Sequence, residues 1–353
     1  MNITSMKFID SAINVYVEED YLYLLDDVFG LFSTHFEFCS EPSNDSIVDF
    51  RVYPVEYFPK RGLKLSGRES EDIIMRTSSS EKFRLNAKHY NIDGLDIYDC
   101  KNSQTIMVFD KKNKNIDIYA TKDSDIQLIE LIRDLIIKDQ ENKGMLILHA
   151  SAAVKDEKAV VVVGSKGAGK STTLMELLLS KGYKMVSGDK VFLKVENDTV
   201  MMKGWPDYPH LGLGTIRRHA KLYDMVKKYY DDNIDNEPAN KKILINPSLF
   251  ERESGIEFAK GSYLFEKVLF PQLSENEESY LVRLENPQTD EITANLEFKG
   301  DYAQTRWNKY ITLNYENREE NIMKLREAIK KSAYYILGGN LKITDSMLKE
   351  LML

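Results

Sequence analysis

Cysteine is almost missing from this sequence: Cys39 and Cys100 are the only two among 353 residues, far apart and in no metal-like spacing. That excludes a disulfide framework and fits a reducing compartment. No apolar run approaches the roughly 20 residues that span a bilayer. The N-terminus, Met1-Asn2-Ile3-Thr4-Ser5, lacks the basic-then-apolar order of a signal peptide. Both point to the cytoplasm, with no membrane partner. Positive charge is also in deficit, 48 Lys and Arg against 56 Asp and Glu, for a net charge of −8. Basic pairs occur at Lys111-Lys112, Arg217-Arg218, Lys241-Lys242 and Lys330-Lys331, but acids interrupt them. No basic face of the kind that binds nucleic acid is expected. Internal repeats and low-complexity tracts are missing too.

What is present is globular. Hydrophobic residues make up 42% and charged residues 29%, a balance that supports a core and excludes a disordered chain. The length favours two domains, since single cores stop growing at about 250–300 residues. Residues 1 to 120 read as strand-rich, with short apolar runs at 50–53, 106–109 and 116–120. The polar knot 110–115 marks a hairpin between the last two. Residues 123–138 carry a broad apolar stripe at helical spacing (Leu128, Ile129, Leu131, Ile132, Leu135, Ile136). The polar stretch 139–144 ends in Gly144 and makes a seam. Domains of 1–140 and 141–353 are therefore expected.

After the seam the texture changes. Runs at 146–153 and 159–163 are apolar on consecutive residues, as in strands buried on both faces. A helix follows over 170–180, then a strand at 183–186. A hairpin is expected from 191–195 and 199–203 around Glu196-Asn197-Asp198. Further helices are expected over 215–230 and 321–337.

One motif carries chemistry. Gly164-Ser165-Lys166-Gly167-Ala168-Gly169-Lys170-Ser171-Thr172 satisfies G-x-x-x-x-G-K-[ST] between a buried strand and a helix, the setting of an ATP phosphate-binding loop. Glycines let the backbone curl so that successive N–H groups face phosphate oxygens without a Cβ in the way. Lys170 supplies a point charge for the β- and γ-phosphates, and Ser171 a hydroxyl for Mg2+. A loop of this type does not name the reaction; other groups must converge on the γ-phosphate. Asp189 ends the next apolar strand, where ligands of open α/β sheets bind. It could hold Mg2+, take a proton from an attacking hydroxyl, or both. His149, just upstream, reaches the same place if the strands are adjacent. His35 and His89 have no acid or nucleophile at a motif spacing.

These residues resemble a known family. Leu148-His149-Ala150-Ser151-Ala152, the loop, Lys181-Gly182-Tyr183 and Ser187-Gly188-Asp189 are similar to the C-terminal catalytic domain of HPr kinase/phosphorylase. They look closer still to the HPr-kinase-like proteins of bacterial peptide-modifying clusters. The resemblance is strong over 145–192 and weaker over 205–216. It implies an α/β P-loop kinase domain of the HPr kinase/phosphoenolpyruvate carboxykinase type, behind a separate strand-rich α+β N-terminal domain. It implies transfer of the ATP γ-phosphate to a serine hydroxyl, with His149, Lys170, Ser171 and Asp189 at the family's functional positions. Two departures stand out. The first of the family's paired aspartates is Gly188 here, and its metal-binding glutamate falls near Pro209, where Asp207 is the acid that could replace it. Arg217 and Arg218 follow the glycine-rich segment 212–216 and could reach phosphate.

Three function classes remain at this point. The first is a kinase for a serine-type hydroxyl on a peptide, protein or small molecule, using ATP and Mg2+. The second is a transport or motor ATPase, which needs a later apolar strand ending in paired acids; 243–245 ends in Asn246-Pro247 instead. The third is a nucleotide-dependent binding or regulatory module. For residues 1–120, peptide recognition, homo-oligomerisation and covering of the active site stay open.

Overall fold

The computed structural model describes residues 2–77, 81–230, 233–301, 307–314 and 316–352, without the side chains of 82 and 301. It forms two units, Met1–Lys143 with Phe298–Tyr315, and Gly144–Glu297 with Glu316–Leu353. The segment Phe298–Tyr315 thus belongs with the N-terminal part, although it lies within the expected domain 141–353. Among the described residues, no helix is long and apolar enough to cross a membrane.

The first unit is built on nine strands: β1 (Asn2–Phe8), β2 (Ser11–Val17), β3 (Glu37–Cys39), β4 (Ser46–Pro54), β5 (Glu71–Arg76), β6 (Leu85–Ile92), β7 (Leu95–Cys100), β8 (Thr105–Asp110) and β9 (Asn115–Ala120). Their order is β3-β1-β2-β4-β9-β8-β7-β6-β5. The hairpin expected at 110–115 pairs Asp110 with Asn115, and Lys114 takes the left-handed turn conformation at φ 52°. Two helices follow the apolar stripes, α1 (Asp26–Phe32) and α2 (Asp125–Asn142). The stripe of α2 is buried as expected. The helix continues through 139–142, however, because Asp139 and Gln140 find partners: Lys143 Nζ lies 2.7 Å from Asp139 and Gln140 Nε2 donates to Asp10.

Buried charge on α2 fastens Phe298–Tyr315. Lys299 sits 3.4 Å from Glu130 and 3.2 Å from Asp134, and its N–H donates to Glu141. Asp134 also pairs with Lys138 at 2.7 Å and accepts from Asn308. The Lys138 ammonium donates to the Asn308 carbonyl. Trp307 packs edge-on to Tyr98.

The second unit holds two larger sheets and a small ribbon. One sheet uses β11 (Ser151–Lys155), β12 (Lys158–Val162), β13 (Lys184–Ser187), β19 (Lys267–Leu273), β20 (Tyr280–Arg283) and β22 (Ala333–Gly339), in the order β13-β11-β12-β19-β22-β20. The other uses β10 (Leu146–His149), β14 (Lys190–Glu196), β15 (Thr199–Gly204), β18 (Ser262–Leu264) and β21 (Leu296–Glu297), in the order β18-β15-β14-β10-β21. The ribbon pairs β16 (His210–Gly212) with β17 (Lys242–Leu244).

The run Ala-Val-Val-Val of β12 is explained by its two neighbours. Val160 and Val162 enter a core shared with α3 (Lys170–Met175), α5 (Ala220–Tyr229), α6 (Pro247–Ser254) and α9 (Asp345–Met352). Ala159, Val161 and Val163 enter a second core with β10, β14, β15 and α8 (Arg318–Ile329). A strand apolar on both sides therefore lies between two cores, as its sequence pattern requires.

Three expected elements come out divided. The run 146–153 breaks at Ala150, so β10 and β11 lie in different sheets. The helix over 215–230 becomes α4 (Leu213–Ile216) and α5, separated by a turn in which Arg218 and His219 donate to Thr215 and Ile216. The helix over 321–337 stops at Ile329. The aromatic and apolar run Ala-Tyr-Tyr-Ile-Leu then forms β22, buried beside β19, because strand pairing there outweighs a helical pattern that was fortuitous past Lys330. The hairpin of β14 and β15 forms as expected, with Asn197 and Asp198 both at positive φ. A short helix, α7 (Thr289–Ala294), precedes β21.

Candidate functional site

Strand direction assembles the site. β11 runs antiparallel to both β12 and β13, so β12 and β13 are parallel to each other and end at the same edge of the sheet. The glycine-rich loop leaves the end of β12, and Ser187-Gly188-Asp189 leaves the end of β13. β11 lies between the two strands, so they face one ligand edge without being paired.

The loop conformation depends on its glycines. Val163 N–H bonds to Leu269 C=O at 2.9 Å, which ends the strand, and Ala168 N–H turns back to Ser165 C=O. Gly167 and Gly169 have φ of +88° and +110°. At Gly169 a Cβ would lie 2.5 Å from Leu341 Cδ1, so that position requires glycine for space as well as for torsion. The first intrahelical bond of α3 runs from Thr173 N–H to Gly169 C=O. The amides of Lys170, Ser171 and Thr172 therefore have no intrahelical acceptor. Ser165, Lys166 and Gly167 are exposed at the tip.

Lys170 curls back over the loop, its ammonium donating to Gly164 C=O at 2.5 Å. Burial lowers its pKa and Lys242 adds to this, while the Asp189 charge opposes both. Thr172 is fixed by a 2.9 Å hydroxyl contact to Thr215 of α4. Ser171 is half-buried, and among the described residues its hydroxyl has no protein partner.

Across from the loop, the buried Ser187 hydroxyl shapes the turn. It donates to Lys190 C=O at 2.6 Å and accepts from the N–H of Lys190. Ser151 holds Gly188 through a 2.8 Å bond to its carbonyl. His149 ends β10 opposite Lys190 of β14, and Ala150 N–H donates to Asp189 C=O at 2.9 Å. His149 Nδ1 consequently lies 3.5 Å from Asp189 Oδ1. Burial works to raise the Asp189 pKa, but Lys190 and His149 outweigh it and keep the carboxyl below its ordinary value. The side chain is 38% exposed, an ionised carboxylate open to a ligand.

A further acid joins this group. Glu297 of β21 pairs across from Ile147 of β10, and its Oε1 is 3.3 Å from His149 Nδ1. Its other oxygen forms an ion pair with Lys190, whose ammonium is also 3.3 Å from Asp189 Oδ2. Burial raises the Glu297 pKa, yet the nearby His149 and Lys190 prevail and hold it at about 2. Sequence reasoning missed Glu297, which sits in a strand of two residues with no periodic signal. Lys190, adjacent to Asp189, was visible but unremarked.

The remaining candidates make other contacts. Asp207 sits between β15 and β16, its Oδ1 accepting from Tyr208 N–H. Arg217 gives its guanidinium to the carbonyls of Ile234 and Glu237, so it braces a loop. Arg218 donates to Asn340 C=O at 2.7 Å, one residue from the Leu341 that packs on Gly169. The structure thus brings together the loop, Lys170, His149 and Asp189, and gives Arg217 a bracing contact instead. Among the described residues, no three His, Cys, Asp or Glu side chains form a metal-holding group.

No family model matches the chain. No curated protein matches it either. Among solved structures it is similar to the Hpr(Ser) kinase/phosphatase from Coxiella burnetii, with 18% identity over 40% of this chain and 73% of that one, at a TM-score of 0.23.

Proposed function

We propose that the chain is an ATP-dependent kinase that transfers the γ-phosphate to a serine-type hydroxyl of a peptide, protein or small molecule. One observation carries this reading: two parallel strands end at one edge, setting the glycine loop with Lys170 opposite an ionised Asp189 whose charge acts on that lysine. The loop amides and the Lys170 ammonium suit a triphosphate, since an anion would replace the Gly164 carbonyl as the lysine's partner. The acceptor hydroxyl attacks Pγ, the bond from Pγ to the bridging oxygen breaks, and ADP leaves. The hydroxyl proton passes to Asp189. Phosphoryl transfer through a loose transition state makes modest demands on the base, so a carboxylate with a lowered pKa suffices.

The donor set also fits Mg2+. This ion prefers one or two carboxylates together with substrate phosphates and waters over an all-protein cage. Ser171, with its free hydroxyl, and Asp189 would hold it. Bound there, it would neutralise charge on the β- and γ-phosphates.

Asp189→Asn tests the reading. It should lower phosphate transfer from γ-labelled ATP to serine-containing acceptors by about 10²–10⁴-fold, the range for a general base. Binding of a fluorescent ATP analogue should be largely kept. Undiminished transfer removes Asp189 from the mechanism. A nucleotide-dependent binding module is the second reading, favoured by Gly188, where the family resemblance places an aspartate. Label that appears only as free phosphate, or not at all, selects against the kinase.

A further inference from the structure

Resting on that reading, we infer that Glu297 is a positioning residue of the site: it takes the His149 Nδ1 proton and the larger share of the Lys190 ammonium, and so leaves Asp189 more open to the acceptor's proton. The geometry requires a donor at Nδ1. That nitrogen is shielded from solvent and lies between two carboxylate oxygens, Glu297 Oε1 at 3.3 Å and Asp189 Oδ1 at 3.5 Å. Ionised carboxylates only accept, so Nδ1 carries the proton in either the neutral or the charged ring. Neither contact is a well-aligned hydrogen bond as it stands. Such bonds often tighten only when substrate is present.

The choice between the two acceptors decides what Asp189 can do. If Asp189 took the imidazole proton at Oδ1 and Lys190 at Oδ2, two of its roughly four lone-pair sites would be occupied and its charge would be shared with both, leaving it a poorer acceptor for a hydroxyl proton. Glu297 relieves it on both sides, being nearer to Nδ1 and forming the closer ion pair with Lys190. Its placement is set by the backbone. β21 pairs with β10 so that Glu297 faces Ile147, and the His149 N–H donates to Asn295 C=O at 3.0 Å. Histidines in functional sites are commonly oriented this way, by a carboxylate on the ring nitrogen that does not face the chemistry.

The first test needs no nucleotide. In the full chain labelled with 15N-histidine, two-bond nitrogen–proton correlations report the tautomer of each of the five histidines. His149→Gln assigns the resonance. The expected result is a downfield, slowly exchanging Nδ1 proton that persists in Asp189→Asn and is lost in Glu297→Ala. Any other pattern, including persistence in Glu297→Ala, overturns the inference. Should Glu297→Ala fold poorly, judged from binding of the fluorescent ATP analogue, Glu297→Leu takes its place.

The second test uses transfer from γ-labelled ATP. Glu297→Ala should lower kcat on the order of 10²-fold, the cost of a misplaced reacting group, with the KM for ATP unchanged. Removing Lys190 as well frees Asp189 again, so Lys190→Ala/Glu297→Ala should recover roughly tenfold over Glu297→Ala, a coupling of the size seen between touching residues. A double variant no better than the single overturns the inference. Failure of the wild type to transfer phosphate would sink the kinase reading alone, because the tautomer pattern still decides the role of Glu297.

Discussion

The chain contains two clusters of ionisable side chains that differ in how deeply they are buried. On α2, Asp134 and Lys138 are almost fully buried, with Lys299 3.2 Å from Asp134 and Asn308 donating to it, although Asp134 Oδ1 itself accepts no hydrogen bond among the described residues. Glu130 is treated alike: burial raises its pKa, but Lys299, Arg133 and Arg76 outweigh that and keep it low. At the edge of the second unit, His149, Asp189 and Lys170 are only partly covered. The lysine falls back on a main-chain carbonyl for a partner. A closed network holds a segment in place; an open one has donors and acceptors left for a ligand. Both clusters contain charge taken out of water, so burial of charge alone singles out neither; what sets the second apart is its exposure at the ends of parallel strands.

The largest effect should come from the open cluster. Lys170→Ala should lower phosphate transfer by about 10³-fold, the upper range for losing one preorganised charge at the reacting group, with urea unfolding almost unchanged. Transfer measured with γ-labelled ATP checks the first part and a urea titration the second. The mirror experiment is Asp134→Ala in the closed cluster. It strands Lys138 as a buried cation while Lys299 keeps Glu130, and should cost about 3–5 kcal/mol of stability. Trp307 lies in the first unit and Trp205 in the second, so fluorescence in a Trp205→Phe background reports the first unit alone. A change below about 1 kcal/mol, the worth of an exposed ion pair, would mean that the α2 cluster is not the closed network its distances indicate.

The sequence made the loop and its two flanks legible because each is local. A buried strand, three glycines and a lysine occupy consecutive positions. Asp189 was equally accessible, as an acid just past the end of the short apolar strand 183–186. Glu297 was not. It reaches the site through a two-residue strand more than a hundred residues from Lys190, and pairing over that distance leaves no trace in composition or periodicity. The same limit explains β22. Ala333 and Ile336 continue the spacing of α8, and only the parallel partner β19 reveals that the chain has become extended. It also explains Phe298–Tyr315, whose described residues attach to the first unit through buried polar pairs and isolated ring contacts that leave no periodic stripe.

Glycine positions sharpen the comparison within the loop. Gly169→Ala meets both a left-handed φ and the Leu341 methyl group 2.5 Å away, and should cost about 3 kcal/mol. Gly167→Ala meets no atom within 4 Å, so only the torsional term of about 1 kcal/mol remains. Urea midpoints of the two variants, followed at Trp205, should separate accordingly. Equal losses would mean that Leu341 moves aside at no cost and that the loop is not packed as described.

The smallest effect concerns acid. Glu297 is held at about 2 against an ordinary 4.5, so its ionised form belongs to the folded state. The resulting stabilisation is fully present above pH 4.5 and is lost as the pH falls through about 2. It should amount to on the order of 2 kcal/mol in a side chain that is 22% exposed. The loss reflects protonation of the Glu297 carboxylate. Glu297→Gln lacks the titration. It should be the less stable protein at pH 6 and converge with the wild type only as the pH falls below about 2, with Trp205 fluorescence in a Trp307→Phe background as the probe. Two stability curves falling in parallel would show that the carboxylate is ionised equally easily in the unfolded chain. Glu297 would then have no electrostatic hold on His149 and Lys190, and the open cluster would owe its arrangement to strand pairing alone.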